Sequence, residues 1–410
     1  MIVNCGLCEK LSYFLMEEFD ADKFMRMASA HADRQQARID KVLAMTDAEV
    51  DAINKRTEEE EVEKNQIFTK MSERPDVFFT LTGYHLEEFE ELHKIVEKSL
   101  ITTGRGRRTP LSTRDILFLL LYYLRRYPRF EEAAAMLSMR VSTLQTIIRT
   151  NIPKVSAVLK KKMIDELPDE YIQLSQDFPE CSYVVDATVQ ETNRPALSFD
   201  DAKVYFSGKH YKYCLKSQVI TTLGGIAVHV VAGIAGSVHD KLIFDQNYAR
   251  FSNEVIAHHA DKPKKILADK GYQDKDSDKL VTPFKGNPLL LTASQNTFNE
   301  KLGCERIIIE NFFGRLKSRF QIMYEKYRGD KTEYEDVFVL CCALLNFEII
   351  SCGHALRESD KKFYERFKAL MGFDKEKIEK ERKKRRKQQA QERQKKFLTS
   401  NGHSSDSDEE

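Results

Sequence analysis

The chain has 410 residues, of which 41% are hydrophobic, 10% aromatic and 31% charged, and its 65 basic and 64 acidic residues leave a formal net charge of +1. That length suits two or three domains, and the apolar content is too high for a disordered chain. The near-neutral balance names no partner, and no apolar run approaches the roughly 18 residues that a membrane helix needs; the longest, residues 116–124, is closed by Arg125 and Arg126.

Residues 1–75 read as a helix-prone extension with no assigned function, and the acidic run at 58–61 reads as a solvated face. Asn4, Glu9 and Lys10 interrupt the apolar N-terminal stretch, which makes it a poor signal peptide. Of eight cysteines only Cys5 and Cys8 have ligand spacing. Without a second pair, an ordinary reduced pair stands beside a zinc-ligand pair. The expectation is a soluble intracellular protein without disulfides.

Residues 76–155 are expected to be all-helical. Leu86, Phe89, Leu92, Val96 and Leu100 recur at helical spacing over 85–100. An Arg-rich linker at 102–110 follows, and Ser112 or Thr113 caps an apolar helix running to Leu124. Two shorter helices, 130–137 and 142–149, meet at Ser138-Met139-Arg140-Val141 with Ser142 as a natural cap, the pattern of a helix-turn-helix. Residues 101–152 carry nine Arg against three acids. Guanidinium groups suit phosphate and guanine contacts, although a plain helical bundle with Arg on its wet face fits the same pattern.

Residues 175–355 alternate strand and helix signals, as in a mixed sheet covered by helices. Strands are expected at 182–186, 203–206, 212–222, 226–234 and 264–269, with a two-residue hairpin at Gly224-Gly225. Helices are expected at 242–257 and 297–323. The last segment, 356–410, is a charged tail. Residues 375–396 hold twelve Lys or Arg against four Glu, and an acidic end follows. The basic hexamer at 382–387 reads as a nuclear-import or nucleic-acid patch, or equally as a solvated charged helix.

Three acids stand at the edges of apolar elements: Asp186 after Val184-Val185, Asp269 after Leu267-Ala268, and Glu310 inside Ile309-Glu310-Asn311-Phe312. A buried carboxylate is costly unless a cation pairs with it, and a divalent metal such as Mg²⁺ favours oxygen ligands. On the long helix, Ile309, Phe312, Phe313, Leu316 and Phe320 fall on one stripe, and Arg306, Glu310 and Lys317 along its flank. Gly314 is expected to admit a close backbone approach. An ordinary surface pairing of Arg306 with Glu310 fits that spacing too.

The chain resembles DDE-type transposases of the Harbinger and related bacterial insertion-sequence group. The resemblance rests on six ordered stretches: Val185-Asp186-Ala187-Thr188, Tyr205-Phe206-Ser207-Gly208-Lys209 with Leu215-Lys216-Ser217-Gln218, Ala235-Gly236-Ser237-Val238-His239-Asp240, Ala268-Asp269-Lys270-Gly271-Tyr272, Thr282-Pro283-Phe284-Lys285, and Arg306 to Glu310 with Phe313-Gly314-Arg315-Leu316-Lys317. It implies an RNase H-like nuclease fold preceded by a helix-turn-helix, with Asp186, Asp269 and Glu310 as catalytic and metal-holding acids.

The resemblance further implies two Mg²⁺ or Mn²⁺ ions per site and phosphodiester hydrolysis and strand transfer on double-stranded DNA. Asp240 is an added candidate ligand or the cap of the following helix. Arg105, Arg107, Arg108, Arg140, Lys209, Lys216, Lys270, Arg306 and Lys317 are candidate DNA contacts, because phosphates reward positive charge. A homodimer, an accessory DNA-binding protein, and a nuclear location in a eukaryote or a cytoplasmic one otherwise complete the expectation. The rival reading is a domesticated, non-cleaving DNA-binding protein with a regulatory role.

Overall fold

In the computed structural model the described residues are 66–101, 111–172, 174–175, 177–195, 202–273, 278–287 and 290–351. The expectations for Cys5 and Cys8, for Arg105, Arg107 and Arg108, and for the basic tail lie outside them. Among the described residues no helix is long and apolar enough to cross a membrane.

The helical half begins with α1 (Gln66–Ser72), α2 (Pro75–Thr82) and α3 (Leu86–Leu100). The predicted stripe of α3 is inward, with Phe89, Leu92, Val96 and Leu100 buried. Ser112 caps α4 (Thr113–Arg126): it accepts from the Asp115 N–H, and the Asp115 carboxylate answers at the Ser112 N–H. Ten consecutive residues of α4, 115–124, are buried, so this helix is enclosed on every side.

The expected helix pair is α5 (Phe130–Met136) and α6 (Val141–Lys160). Two details differ. Arg140 rather than Ser142 stands at the N-cap, and α6 runs twenty residues, through Pro153. Its buried positions, Leu144, Ile147, Ile148, Ile152, Val155 and Leu159, keep helical spacing past the expected end, so packing carries the helix across the proline.

The sheet is built from β1 (Cys181–Glu191), β2 (Phe206–Ser207), β3 (Lys212–Thr222), β4 (Ala227–Ala235), β5 (Lys265–Leu267) and β6 (Leu280–Val281). Its main order is β4-β3-β1-β5-β6, with β2 paired to the start of β3. The first three strands are antiparallel, and β5 and β6 run parallel to β1. Strand β1 runs five residues beyond its expected end at Asp186, because its pairing with β3 continues to Glu191↔Cys214. The expected strand at 203–206 shrinks to Phe206–Ser207. At the β3–β4 turn the Thr222 N–H donates to the Ile226 carbonyl, leaving a three-residue loop in which Gly225 takes φ +80°.

Helix α7 (Asp240–Phe251) follows β4, and α8 (Ala293–Arg319), α9 (Gln321–Tyr324) and α10 (Tyr334–Ile350) close the described fold. Helix α8 starts four residues earlier than expected, fixed by a Thr292–Gln295 capping box, and breaks at Phe320, whose backbone is extended.

The sheet separates two cores. Val184, Leu215, Val219 and Leu267 join the helices α2–α6, α8 and α10 on one face. Tyr183, Val185, Ile220, Ile266 and Ala268 pack with Phe244 and Phe251 of α7 on the other. Arg319 of α8 ties these layers to the α2–α3 turn. It donates to the Gly83 carbonyl, pairs with Glu348 and lies over the Tyr84 ring. Gly83 has φ +83° and the Arg319 guanidinium stands where a Cβ would be, so any other residue there is strained and must displace that guanidinium.

Two buried histidines make this core sensitive to acid. Burial pushes His93 down to about 4, with Arg114 adding to the effect, and pushes His229 down to about 3. Their imidazoles bind protons less readily folded than unfolded, so stability present above pH 6.5 is lost as pH falls toward those values. Between pH 7.5 and pH 5 each histidine should cost on the order of 2 kcal/mol of stability. Denaturant titration at the two pH values checks this, and His93→Gln should flatten the difference.

Candidate functional site

Register places the first two acids. Val184 of β1 lies opposite Leu267 of β5 in a parallel pair, and both side chains enter the core on the α8 face. Two residues further along each chain direction, Asp186 and Asp269 come out on that same face at the same level. The sheet thus delivers two carboxylates side by side from residues distant in sequence. Helix α8 packs there through Ile309, Phe312, Phe313 and Leu316, all buried, which turns Arg306, Glu310 and Lys317 toward a cleft of about 560 Å³. Asp186, Asp240, Asp269 and Glu310 line this cleft together with Arg306, Lys209, Lys216 and Lys317.

Arg306 is the centre of the acidic end. Its Nη2 lies 3.2 Å from Asp186 Oδ2 and its Nη1 3.6 Å from Asp269 Oδ1. Its buried Nε has no hydrogen-bond partner among the described residues. Burial pushes the Asp186 carboxyl up, opposed by the Ala187 N–H, which donates to Asp186 Oδ1 at 2.8 Å, and by the Arg306 guanidinium. Asp269 and Asp240 push it up further by repulsion. Glu310 is exposed on the cleft wall one helical turn beyond Arg306. The simple surface pairing of Arg306 with Glu310 is therefore not what the structure shows; Arg306 turns to the two aspartates.

Asp240 belongs to a second pair. It is the first residue of α7, whose N-cap is His239, the His239 Nδ1 accepting from the Lys241 N–H. Lys216 of β3 is buried and donates to Asp240 Oδ1 at 2.9 Å and to the Val238 carbonyl at 2.6 Å. Two residues along the same strand, Gln218 donates to the Asp240 carbonyl and to the Tyr272 hydroxyl, at 2.9 and 3.1 Å. Gln218 and Tyr272 were not singled out as site residues; their signal lay in the alternation of Lys216 with Gln218 on one strand face.

The other candidate contacts divide. Lys209 and Lys317 line the cleft, joined by His210, Ser207 and Ser237. Burial and the neighbouring Lys212 lower the Lys317 ammonium, and burial with Lys209, Lys216 and Lys212 lowers His210, so this end of the cleft is crowded with positive charge. Lys270 is exposed beside Asp269 and outside the cleft lining. Arg140 is exposed at the N-cap of α6 and outside the cleft lining. Gly314 has open space around it rather than a close backbone neighbour, because it falls on the outer side of α8.

The donors suit a hard divalent cation in kind: carboxylate oxygens on one cleft, two of them already gathered on a positive charge. Among the described residues, however, no three acidic, His or Cys side chains stand close enough to hold one ion together. Arg306 holds Asp186 and Asp269 in the arrangement seen. Replacing it by methionine leaves those carboxylates facing each other without a counter-charge. Arg306→Met should lower stability by about 1–2 kcal/mol, less than a fully buried pair would cost because Asp269 is partly exposed. Adding Asp269→Asn should restore part of the loss, which paired thermal melts would detect.

Comparison with known proteins agrees with this region of the chain. Residues 185–346 match the family model described as DDE superfamily endonuclease. A probable transposase for insertion sequence element IS702 of Microchaete diplosiphon is 26% identical over 249 residues, covering 60% of this chain and 83% of that protein. No solved structure gives a significant match. The chain is thus similar to DDE-type transposases, and residues 185–346 are the stretch that resembles DDE superfamily endonucleases.

Proposed function

We propose that this chain is a divalent-metal-dependent DNA transposase, or an endonuclease derived from one, performing phosphodiester hydrolysis and strand transfer. The observation that carries the reading is the delivery of Asp186 and Asp269 by adjacent parallel strands to the cleft that Glu310 lines from α8. The sheet order β4-β3-β1-β5-β6, antiparallel for three strands and parallel for two, supports an RNase H-like fold for the nuclease domain, 175–355. Domain boundaries at 76–155 for the helix-turn-helix region and 356–410 for the tail belong to the same proposal.

Asp186, Asp269 and Glu310 are the residues that would hold Mg²⁺ or Mn²⁺, with Asp240 as a further ligand. Bound there, two such ions would lower the pKa of a water or 3′-hydroxyl nucleophile and neutralise charge on the leaving oxygen. The chain's own residues supply the rest. Lys209 and Lys317 draw the DNA backbone into the basic end of the cleft. Lys216 keeps Asp240 fixed and charge-balanced, a role that takes it out of direct DNA contact in this arrangement. Arg306 holds the two carboxylates in place, and would be free to meet a phosphate if a bound cation took over that role.

The exposed residues of the first turns of α6, Ser142 and Thr146 with Arg140 beside them, suit contact with a DNA groove. A homodimer acting on two DNA ends, an accessory DNA-binding protein, and nuclear import through the basic hexamer in a eukaryotic host are further parts of the proposal.

One observation favours the rival reading of a DNA binder that does not cut. Arg306 already satisfies both aspartates, an arrangement that needs no metal. Nicking of labelled supercoiled DNA with Mg²⁺ separates the two. The wild type should cleave, and Asp269→Ala should lose cleavage by a factor of at least about 10³ while still binding DNA, given what positioned metals contribute. Binding without cleavage by both proteins would favour the rival, and equal cleavage by both would end the site assignment.

A further inference from the structure

The loop between β2 and β3 carries a feature the reading above leaves unused. Its four residues, Gly208, Lys209, His210 and Tyr211, are closed by the pair Ser207↔Lys212 and by the Tyr211 N–H donating to the Ser207 carbonyl. Tyr211 ends the loop with φ +53°, in the left-handed region. A bulky residue there is strained by on the order of 1 kcal/mol or more. The β3–β4 loop gives the corresponding conformation to Gly225.

The other tyrosine at positive φ among the described residues has an evident reason. Tyr127, at φ 43°, is buried, accepts from the Arg328 N–H and lies under its guanidinium. Tyr211 is 83% exposed. Its ring makes no ring pairing and its hydroxyl no hydrogen bond among the described residues. The fold therefore spends strain to hold a free aromatic ring in water. Beside it stand Lys209 and His210, both lining the cleft that contains the acids, and Lys212, which pairs with Glu191.

We propose that Tyr211 stacks on an unpaired nucleobase of the DNA whose backbone enters the basic end of this cleft. The proposal rests on the DNA-cleaving reading and goes beyond it by assigning a base contact. Cations beside an exposed aromatic are the chemistry that grips a strand: the phosphate is held by charge and the base by its π-face. The left-handed turn fixes the ring's direction in advance, so little freedom is lost on contact. The ligand is a DNA fork or frayed end, since an intact duplex presents no free base face at its side.

The full-length protein would be titrated at low salt with a forked oligonucleotide carrying 2-aminopurine at its first unpaired position, and with a blunt duplex of the same sequence. Tyr211→Ala should weaken fork binding about 5- to 100-fold, the range for losing one base–aromatic stack, and abolish the fluorescence quench. Tyr211→Phe should keep both within about twofold, because stacking needs the ring and not the hydroxyl. Duplex binding should change less than about twofold in either variant. Tyr211→Gly should match Tyr211→Ala in binding with a melting temperature equal to or above wild type, as removal of strain requires. Fork binding by Tyr211→Ala equal to wild type would overturn the proposal, as would an equal loss on fork and duplex. If the wild type bound neither DNA, the DNA reading itself would fall and the stacking proposal with it.

Discussion

Everything at the acidic end of the cleft depends on one guanidinium between two carboxylates. Asp186 and Asp269 reach the same level because β1 and β5 run parallel in fixed register, and two like charges at that spacing repel in a partly desolvated place. Arg306 makes the arrangement tolerable, and its Nε, which has no partner among the described residues, leaves part of its hydrogen-bonding capacity unused. Under the proposed function, a site that takes up a divalent cation needs a resident charge that can be exchanged. A flexible side chain on a helix flank provides one without disturbing the backbone.

That helix is positioned by burial of its apolar stripe, with polar contacts along it adding to the hold. Its apolar stripe is fully enclosed, and the break at Phe320 lets the chain turn into α9 and α10 beneath the same core. Arg319, at the end of α8, reaches across to Gly83, so the helix that carries Arg306 and Glu310 is also the one that clamps the helical half of the protein. The basic end is anchored differently, on β3 and the loop before it. There Lys216 gives its charge to Asp240, while Lys209 keeps its charge for the open cleft.

Much of this was legible in the residues, for physical reasons that can be named. The stripe of Ile309, Phe312, Phe313, Leu316 and Phe320 fixed the face of α8, and with it the flank that carries Arg306, Glu310 and Lys317. The caps at Ser112 and the strand limits of β3 were equally plain, because each depends on local chemistry. What sequence could not supply was pairing at a distance. Asp186 looked like the end of a strand because a charged residue follows an apolar run, yet its partner strand continues and so does β1. The same limit hid the Arg306–Asp186–Asp269 bridge: spacing offers Arg306 only a neighbour on its own helix, whereas the sheet brings two acids from elsewhere. The start of α8 is likewise local chemistry, carried by the Thr292–Gln295 capping box. Ser142 was favoured as a cap by its side chain, and tertiary packing moved the helix start to Val141 instead.

The central claim is that these acids hold a divalent cation once Arg306 gives way, and direct titration with Mn²⁺ tests it without reference to any DNA sequence. Calorimetry on the wild type should show Mn²⁺ binding that is lost in both Asp186→Asn and Asp269→Asn, and that tightens in Arg306→Met, where the competing charge is gone. Equal binding by the wild type and both asparagine variants would contradict the account, and so would weaker binding by Arg306→Met.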